Sequence, residues 1–168
     1  MNSFGKIMGV LVGVFFLFFV PLLILSEKQE IIMESYVLTK TAYLVEHIRS
    51  NGYVSKEMYE QYTKQLAFTG YLYEIEMEHQ QVVYDLEEAS QSYVKRYENN
   101  YEEDIQEVLF HGIGRYEMKR GDFFFIKVTS KTKGIGDKMR SYFLLPIQRM
   151  PAIQVELGGM IRDETTGL

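Results

Sequence analysis

The side chains best suited to acid–base or metal chemistry are three histidines that stand far apart in the chain, His47, His79 and His111. No two of them have a metal-binding spacing such as His-x-x-x-His. His47 lies on the flank of a predicted helix and His79 at the end of a predicted strand. His111 stands beside a glycine that ends a helix, where a cation suits the helix dipole. This pattern favours structural roles over catalysis or metal binding.

Acidic residues form two further candidate sites. Glu74, Glu76 and Glu78 alternate along one predicted strand, so their carboxylates share a face. Paired carboxylates can do acid–base work, but uniform alternation of this kind is typical of a solvated strand face. The acidic cluster at residues 99–104 lacks the glycine and the distant glutamate of an EF-hand loop, so calcium binding is only a secondary interpretation of that cluster.

Phosphate-binding and nucleophile motifs complete the search for chemistry. The run Gly134-Ile135-Gly136-Asp137-Lys138 matches neither the Walker pattern nor the three-glycine Rossmann pattern, so it predicts a turn and a helix start. No serine lies in a Gly-x-Ser-x-Gly elbow. The chain has no cysteine, which excludes disulfides, Cys-ligated zinc and thiol chemistry. We therefore expect a non-enzymatic protein that uses no cofactor and no metal.

The element that organises the chain is an apolar run from Ile7 to Leu25 without one charged or polar side chain. As a helix rising about 1.5 Å per residue, it nearly crosses a hydrocarbon core of about 30 Å. A secretory signal has a shorter apolar region and a small-residue cleavage site, and Ile24-Leu25-Ser26 matches such a site poorly. The run thus predicts a retained anchor at residues 1–26.

Charge around the run predicts its orientation. Lys6 precedes the run, whereas Glu27 and Glu30 follow it, and positive flanks tend to stay in the cytoplasm. Residues 27–168 are therefore expected to form one extracytoplasmic domain on a single-pass protein of the cell membrane. Its size suits a single domain with a real core.

The helical pattern continues past the anchor to Asn51-Gly52, where glycine ends it. Four apolar residues recur at helical spacing and predict a stalk face that packs on the domain: Ile31, Leu38, Ala42 and Val45. Within the anchor, Gly9 and Gly13 form a Gly-x-x-x-Gly pattern, which allows close approach of a second membrane helix.

Shorter patterns predict the elements of the domain. A helix starts at the N-cap Ser55, carries Met58, Tyr62 and Leu66 on one face and stops at Gly70; the alternation from Tyr71 to Glu78 predicts a strand with one wet face. The polar stretch 85–100 carries a possible helical stripe of Leu86, Ala89, Tyr93 and Tyr97, or else a mobile insertion. A capping box at Asn100 and Glu103 predicts the start of a further helix, with Tyr101, Ile105, Val108 and Leu109 inward. Residues Arg115–Lys119 and Asp122–Ser130 predict a hairpin, and a short helix with Met139, Tyr142 and Phe143 inward is expected to end at Pro146. The last strand is predicted at Ala152–Ile161 with a bulge at Gly158-Gly159, and the tail from Asp163 is expected to be frayed.

These elements predict an α+β fold, in which a long N-terminal helix packs on a small antiparallel sheet with short helices. Charge is divided along the chain: residues 27–112 hold 7 Lys and Arg against 17 Asp and Glu, or −10, whereas residues 113–162 hold 10 against 4, or +6. The two halves can pair within one fold or between subunits. The basic half lacks a nucleic-acid motif and the whole chain is acidic, which argues against nucleic-acid binding.

The plan of a short N-terminus, a membrane helix that becomes amphipathic and a small α+β head resembles type IV pilin-like proteins. More narrowly, the chain resembles the TadE-like proteins of Gram-positive Tad/Flp pilus assembly systems. The resemblance rests on short segments spread over most of the chain: His47-Ile48-Arg49-Ser50-Asn51-Gly52, Val54-Ser55-Lys56-Glu57-Met58-Tyr59-Glu60, Leu66-Ala67-Phe68-Thr69-Gly70, the strand starting at Tyr73, Met118-Lys119-Arg120-Gly121-Asp122-Phe123, and Gly158-Gly159-Met160-Ile161.

This resemblance implies a pilin-like subunit or accessory protein whose partners are the lipid bilayer and other pilin-like subunits or assembly proteins. One feature departs from substrates of the prepilin peptidase, which carry a glutamate five residues after the cut. The fifth residue after Gly5 is Val10, and the apolar run contains no glutamate. A membrane-bound assembly or tip component fits this departure. The alternative function is an anchored extracytoplasmic binding or sensor module, and a membrane-anchored hydrolase ranks third because no nucleophile–base set is present.

Overall fold

A computed structural model of the chain describes residues 3–87, 92–132, 134, 138 and 153–164. Within these residues the elements are, in chain order, α1 (Ser3–Asn51), β1 (Tyr53–Ser55), α2 (Lys56–Ala67), β2 (Tyr73–Glu87), β3 (Ser92–Tyr101), α3 (Glu102–Phe110), β4 (Arg115–Glu117), β5 (Phe123–Ser130) and β6 (Gln154–Met160). The predicted α+β class is confirmed: one long N-terminal helix, two short helices and antiparallel sheets.

Helix α1 runs without interruption through the predicted boundary between residues 26 and 27. The expectation of one long rod is thus confirmed. It ends at Asn51, and Gly52 follows with φ +75°, the left-handed conformation in which glycine commonly ends a helix.

Helix α2 begins as its sequence predicts. The Ser55 hydroxyl accepts a hydrogen bond from the backbone N–H of Met58 at 3.3 Å, and Tyr62 and Leu66 are buried. The predicted hairpin of residues 115–130, in contrast, is wrong. Strand β4 pairs with β1 in a small two-stranded sheet, because the turn at Gly121 (φ +96°) carries the chain away from β4 and into the larger sheet.

The larger sheet is antiparallel throughout and has the order β3-β2-β5-β6. Strand β5 is central, as its apolar residues on both faces predicted. The sheet has an inner face toward α1, on which Phe124, Ile126 and Val128 of β5 are fully buried. On the opposite, outer face, the β5 side chains Phe123, Phe125 and Lys127 are half-buried.

The polar stretch 92–101 forms strand β3, so its prediction as a helix or mobile insertion is wrong. Strand β2 extends to Glu87 and pairs with β3 residue by residue, from Glu78 opposite Tyr101 to Glu87 opposite Ser92. Tyr93 and Tyr97 are four residues apart in the sequence, a spacing that fits one face of a helix as well as one face of a strand, and the pairing of β3 with β2 settles the choice. Ala89, part of the proposed stripe, lies outside the described residues.

Strand β6 contains no bulge, which corrects a second prediction. Its register with β5 is unbroken through Gly158 opposite Phe125 and Gly159 opposite Phe124. Both glycines instead serve close approach, since a Cβ on Gly158 would collide with the Phe125 ring and with the Phe124 carbonyl oxygen, 2.5 Å away. A Cβ on Gly159 would lie 2.9 Å from the Arg49 guanidinium.

Helix α3 starts one residue later than predicted. Its first turn is held by Asp104, whose carboxylate accepts from the backbone N–H of Tyr101 at 3.2 Å. Ile105 and Leu109 are buried as predicted, whereas Val108 is half-buried and Tyr101 is exposed. The predicted short helix with Met139, Tyr142 and Phe143 lies outside the described residues.

The tail from Asp163 was expected to fray, but residues 162–164 are hydrogen bonded to the end of α1. The backbone N–H groups of Arg162 and Asp163 donate to the Arg49 carbonyl, and that of Glu164 donates to the Ser50 carbonyl. These bonds satisfy carbonyls that the end of a helix leaves open. The core lies between the second half of α1, helices α2 and α3, and the inner face of the sheet.

Candidate functional site

The first half of α1 is the most distinctive surface of the molecule. In the part of the chain that the structure describes, α1 is the one helix long and apolar enough to cross a membrane, and its apolar window has no contact that buries it. Side chains such as Phe4, Leu17 and Phe18 are 65–74% exposed. In water such a surface would be strongly unfavourable, so this half requires lipid or another protein around it.

The two glycines predicted as a helix–helix contact, Gly9 and Gly13, lie on this bare surface. A Cβ built on either one meets no described atom within 4 Å. Their face of α1 is therefore open to a second helix.

The predicted stalk face is wrong in its contacts, although its spacing is helical. Of its four members only Val45 is buried (4% exposed), whereas Ile31 is 65% and Leu38 45% exposed, and Ala42 is exposed as well. The head instead covers a neighbouring stripe that contains Val37, Thr41, Leu44 and Ile48. Because one residue turns a helix by about 100°, the docked face is rotated from the predicted one by about one residue.

Thr41 shows why this other face meets the head. Its hydroxyl donates to the Val37 carbonyl at 2.8 Å and lies 2.7 Å from the Tyr62 hydroxyl of α2. Burial raises the pKa of Tyr62 to about 12, and the hydrogen bond to Thr41 opposes that rise. A buried polar pair thus stands where sequence reasoning looked for purely apolar contact. The only sign of this contact in the sequence is that Thr41 lies on the same helix face as Val37 and Ile48.

The covered stripe extends far down the helix. Gly134 is buried and lies against the side chain of Glu30, about 30 Å along the axis from the end of α1 at Asn51. At that end, Arg49 donates to the Met160 carbonyl at 3.0 Å, and Arg162 pairs with Glu46. The head therefore contacts one side of the second half of α1 along most of its length.

The uncovered stripe of α1 lines up with the two glycines. Ile31 stands 18 residues after Gly13, or about five whole turns, and Leu38 stands 29 residues after Gly9, or about eight. Gly9, Gly13, Ile31, Leu38 and Ala42 thus share one side of the helix. This side carries small and apolar residues from the anchor into the stalk, with Glu27 and Glu34 among them, and the described head leaves Ile31, Leu38 and Ala42 exposed.

The charged halves of the chain pair within the fold. Lys127 lies 3.0 Å from Glu76 and Lys131 lies 2.7 Å from Glu74 across neighbouring strands. The Glu76 carboxylate raises the pKa of Lys127 through a hydrogen bond and its charge. Glu74 and Glu76 are therefore partnered by lysines on a solvated face, which agrees with their interpretation as surface residues, whereas Glu78 is half-buried and accepts from Gln80.

A buried polar network that the sequence did not predict lies at the inner face of β2. His79 is 3% exposed; its Nε2 lies 3.1 Å from Asp122 Oδ2 and its Nδ1 lies 2.8 Å from the Tyr116 hydroxyl. Asp122 also accepts from the backbone N–H groups of Val82 at 3.0 Å and Lys119 at 2.9 Å. Since a carboxylate only accepts, His79 Nε2 carries the proton toward Asp122.

This network joins three elements of the fold. It connects β2, the turn before β5, and β4 of the small sheet. Burial, helped by the charges of Asp104 and Asp122, raises the pKa of Tyr116, so its phenol is harder to ionise than a free one. The alternation Ile75, Met77, His79 was the available signal, because it places His79 on the apolar face, where a polar group needs partners.

Among the described residues, the other polar clusters do not bring metal-ligating side chains together. No group of three or more His, Asp or Glu side chains is placed to hold a metal ion among the residues with described positions. In the acidic cluster at residues 99–104, Asp104 lies in the first turn of α3 and accepts from the backbone N–H of Tyr101. Burial raises the pKa of Glu102, and the charges of Glu76 and Glu74 raise it further, as expected for a carboxylate among carboxylates.

Compared with protein-family profiles, curated protein sequences and solved structures, the chain gives no match.

Proposed function

We propose that the chain is a non-enzymatic, membrane-anchored, pilin-like subunit or accessory protein of a Tad/Flp pilus or related secretion apparatus. The observation that carries this proposal is the open side of α1. The described part of the head covers one stripe of the helix and leaves Gly9, Gly13, Ile31, Leu38 and Ala42 uncovered. A helix side that carries small and apolar residues in both the anchor and the stalk suits packing against the α1 helices of sibling subunits.

The anchor in this proposal is the first half of α1, retained in the cell membrane with its N-terminus in the cytoplasm. The continuity of α1 through Ser26 supports retention, since cleavage there would remove half of a helix whose second half the head holds. Lys6 before the apolar run and Glu27 after it support the orientation.

Assembly is proposed to occur through the helix and not through opposite charge poles. Glu74, Glu76 and Glu46 of the acidic half already pair with Lys131, Lys127 and Arg162 of the basic half inside one molecule. The remaining net charge keeps heads soluble and apart, whereas the open apolar stripe is unsatisfied in a single copy.

The test places a photo-crosslinking amino acid on each side of the stalk in native membranes. Leu38 lies on the open stripe and is 45% exposed; Tyr43 lies about 140° around the helix and is 65% exposed, which makes it the matched control. Crosslinks from position 38 to other single-pass α+β subunits, with few from position 43, are expected. Combining the probe at 38 with Gly9→Leu and Gly13→Leu should reduce these crosslinks.

Purely monomeric protein in membranes that contain its neighbouring gene products would contradict the proposal and favour the anchored binding module. Neighbouring genes for a secretion ATPase and a polytopic platform protein would add independent support. The binding module has its own favouring observation, the exposed aromatic surface on the outer face of the sheet.

A further inference from the structure

The outer face of the large sheet is ordered in rows of residues that lie directly opposite one another. One row contains Tyr101, Glu78, Phe125 and Gly158, and the next contains Asn99, Gln80, Phe123 and Met160. Beyond them, where β2 and β3 continue as a two-stranded hairpin, Tyr97 stands opposite Val82. Since directly paired residues share a face, aromatic and polar side chains alternate across this surface.

Three rings form the centre, here called the aromatic platform: Tyr97, Phe123 and Phe125. The Phe125 ring lies over the backbone of Gly158, where a Cβ would collide with it, so the ring covers the neighbouring strand. Phe123 is within 9° of parallel to Phe125 at 6.5 Å between centroids. Tyr97 lies 6.4 Å from Phe123 with its ring at 63° to it, in an edge contact. The platform is thus a row of rings at nearly constant spacing.

The platform continues into well-exposed neighbours. Tyr84, Tyr101 and Met160 on the same face are 47–64% exposed, and Tyr97 of the platform is 48% exposed. The Lys95 ammonium lies 5.0 Å from the Tyr97 centroid. Contiguous aromatic surface of this kind on one face marks a binding site.

The polar groups between the rings select among ligand classes. Glu78 is half-buried and accepts from the Gln80 amide at 3.0 Å, and Glu74, Glu76 and Glu156 lie further along the same face. Lys127 and Lys131 compensate the charges of Glu76 and Glu74, so the carboxylate that disfavours a polyanion such as nucleic acid among the rings is Glu78, since such a ligand requires Lys and Arg against its phosphates. Protein–protein interfaces are depleted of glutamate at their centre, whereas Glu78 lies directly between Tyr101 and Phe125.

We infer that this face binds a neutral polysaccharide chain. Its sugar rings stack on Tyr97, Phe123 and Phe125, and its hydroxyl groups hydrogen bond with Glu78, Gln80 and Asn99. Apolar rings with a few placed polar groups are the usual composition of a small-ligand site, and sheet faces of this kind do bind oligosaccharides in other folds. The inference is independent of subunit assembly, because it uses the outer sheet face and not α1.

The experiment titrates the full-length chain with chitohexaose, a neutral β-linked oligosaccharide. Lipid nanodiscs replace sugar-headed detergents, which would compete for the site. The chain lacks tryptophan, so tyrosine fluorescence reports directly, and calorimetry gives the affinity. Saturable binding is expected, with Tyr97→Ala weakening it about tenfold, which corresponds to about 1.4 kcal/mol and lies in the range of one lost stacking contact.

Two control variants separate stacking from general disturbance. Tyr97→Phe keeps the ring and should bind within about twofold of the original protein. Tyr43→Ala removes a tyrosine on α1 that is 65% exposed, against 48% for Tyr97, and should not change the affinity.

Three results would overturn the inference. One is the absence of saturable binding at millimolar chitohexaose, and another is an equal loss in Tyr43→Ala. The third is concentration-dependent self-association that Tyr97→Ala abolishes in sedimentation, which would make the face a protein interface. Heparin, a polyanion, should neither bind nor compete; if it binds more tightly than chitohexaose, the ligand is not a neutral chain.

Discussion

The two long sides of the stalk differ in a way that hydrophobicity alone would not suggest. The side that docks on the head carries Val37, Thr41 and Ile48, each 0% exposed, and the open side carries Ile31 and Leu38, which are 65% and 45% exposed. The docked side includes a hydroxyl, although Ile31 and Leu38 on the open side are as large as Ile48 and Leu44 on the docked side.

The difference arises because a helix that docks on the sheet must fit the shape of the sheet surface closely. A helix approaches a sheet closely where its side chains are small or β-branched and interdigitate with the inner face. Thr41 fits such a contact once Tyr62 satisfies its hydroxyl. The aliphatic residues on the open side, Ile31 and Leu38, remain for a partner or for lipid, which is the basis of the proposed assembly surface.

The largest expected effect comes from placing the same charge on each side of the stalk. Val37→Asp would bury an unpaired carboxylate and should lower the free energy of unfolding by more than about 4 kcal/mol. Leu38→Asp, at the next residue, should change it by no more than about 1 kcal/mol, because its side chain already reaches solvent. Urea unfolding of the two variants in the same micelles measures both.

Equal destabilisation by the two aspartates would show that the head covers both sides. That outcome would also remove the open stripe as an assembly surface.

Alkaline pH tests the docked side through Tyr62, whose pKa is about 12 in the fold against an ordinary value of 10.0. Between these values the unfolded chain releases the phenol proton and the folded chain keeps it, so the unfolded state binds fewer protons and stability falls as pH rises. The contribution is fully present below pH 10 and is lost as pH approaches 12, with a total of about 2–3 kcal/mol.

The measurement compares unfolding free energies at pH 9 to 11.5 for the original protein and Tyr62→Phe. The variant should show the shallower decline, since Thr41 keeps its bond to the Val37 carbonyl and no phenol remains at position 62. Identical slopes would mean that Tyr62 is solvated, and the docked side would then be looser than its geometry indicates.

The smallest effect concerns the hydroxyl of Thr41. Thr41→Val keeps the shape but leaves the buried Tyr62 hydroxyl without this partner, which should lower the free energy of unfolding by about 1–2 kcal/mol. Thr41→Ser keeps the hydroxyl and serves as the control for the bond. If Thr41→Val left the free energy of unfolding unchanged, packing alone would select the docked side.

Local signals predicted much of the fold from the sequence. Gly52 ends α1, Ser55 caps α2, and the alternation of Phe124, Ile126 and Val128 made β5 central. These features depend on neighbours within a few residues. The errors came where one pattern suits two structures, as in β3, or where a strand has two possible partners, as in β4.

The candidate sites likewise fall into features that neighbouring residues determine and features that depend on tertiary contacts. The sequence by itself determined the apolar run, the helix that continues from it and the residues that share each side of that helix, because period and composition are local properties. Only the tertiary structure decided which side meets the head, that His79 joins Asp122 and Tyr116, and that Tyr97 approaches Phe123. Those contacts connect residues 26 to 43 positions apart, and they depend on which strands pair and how closely the helix fits the sheet.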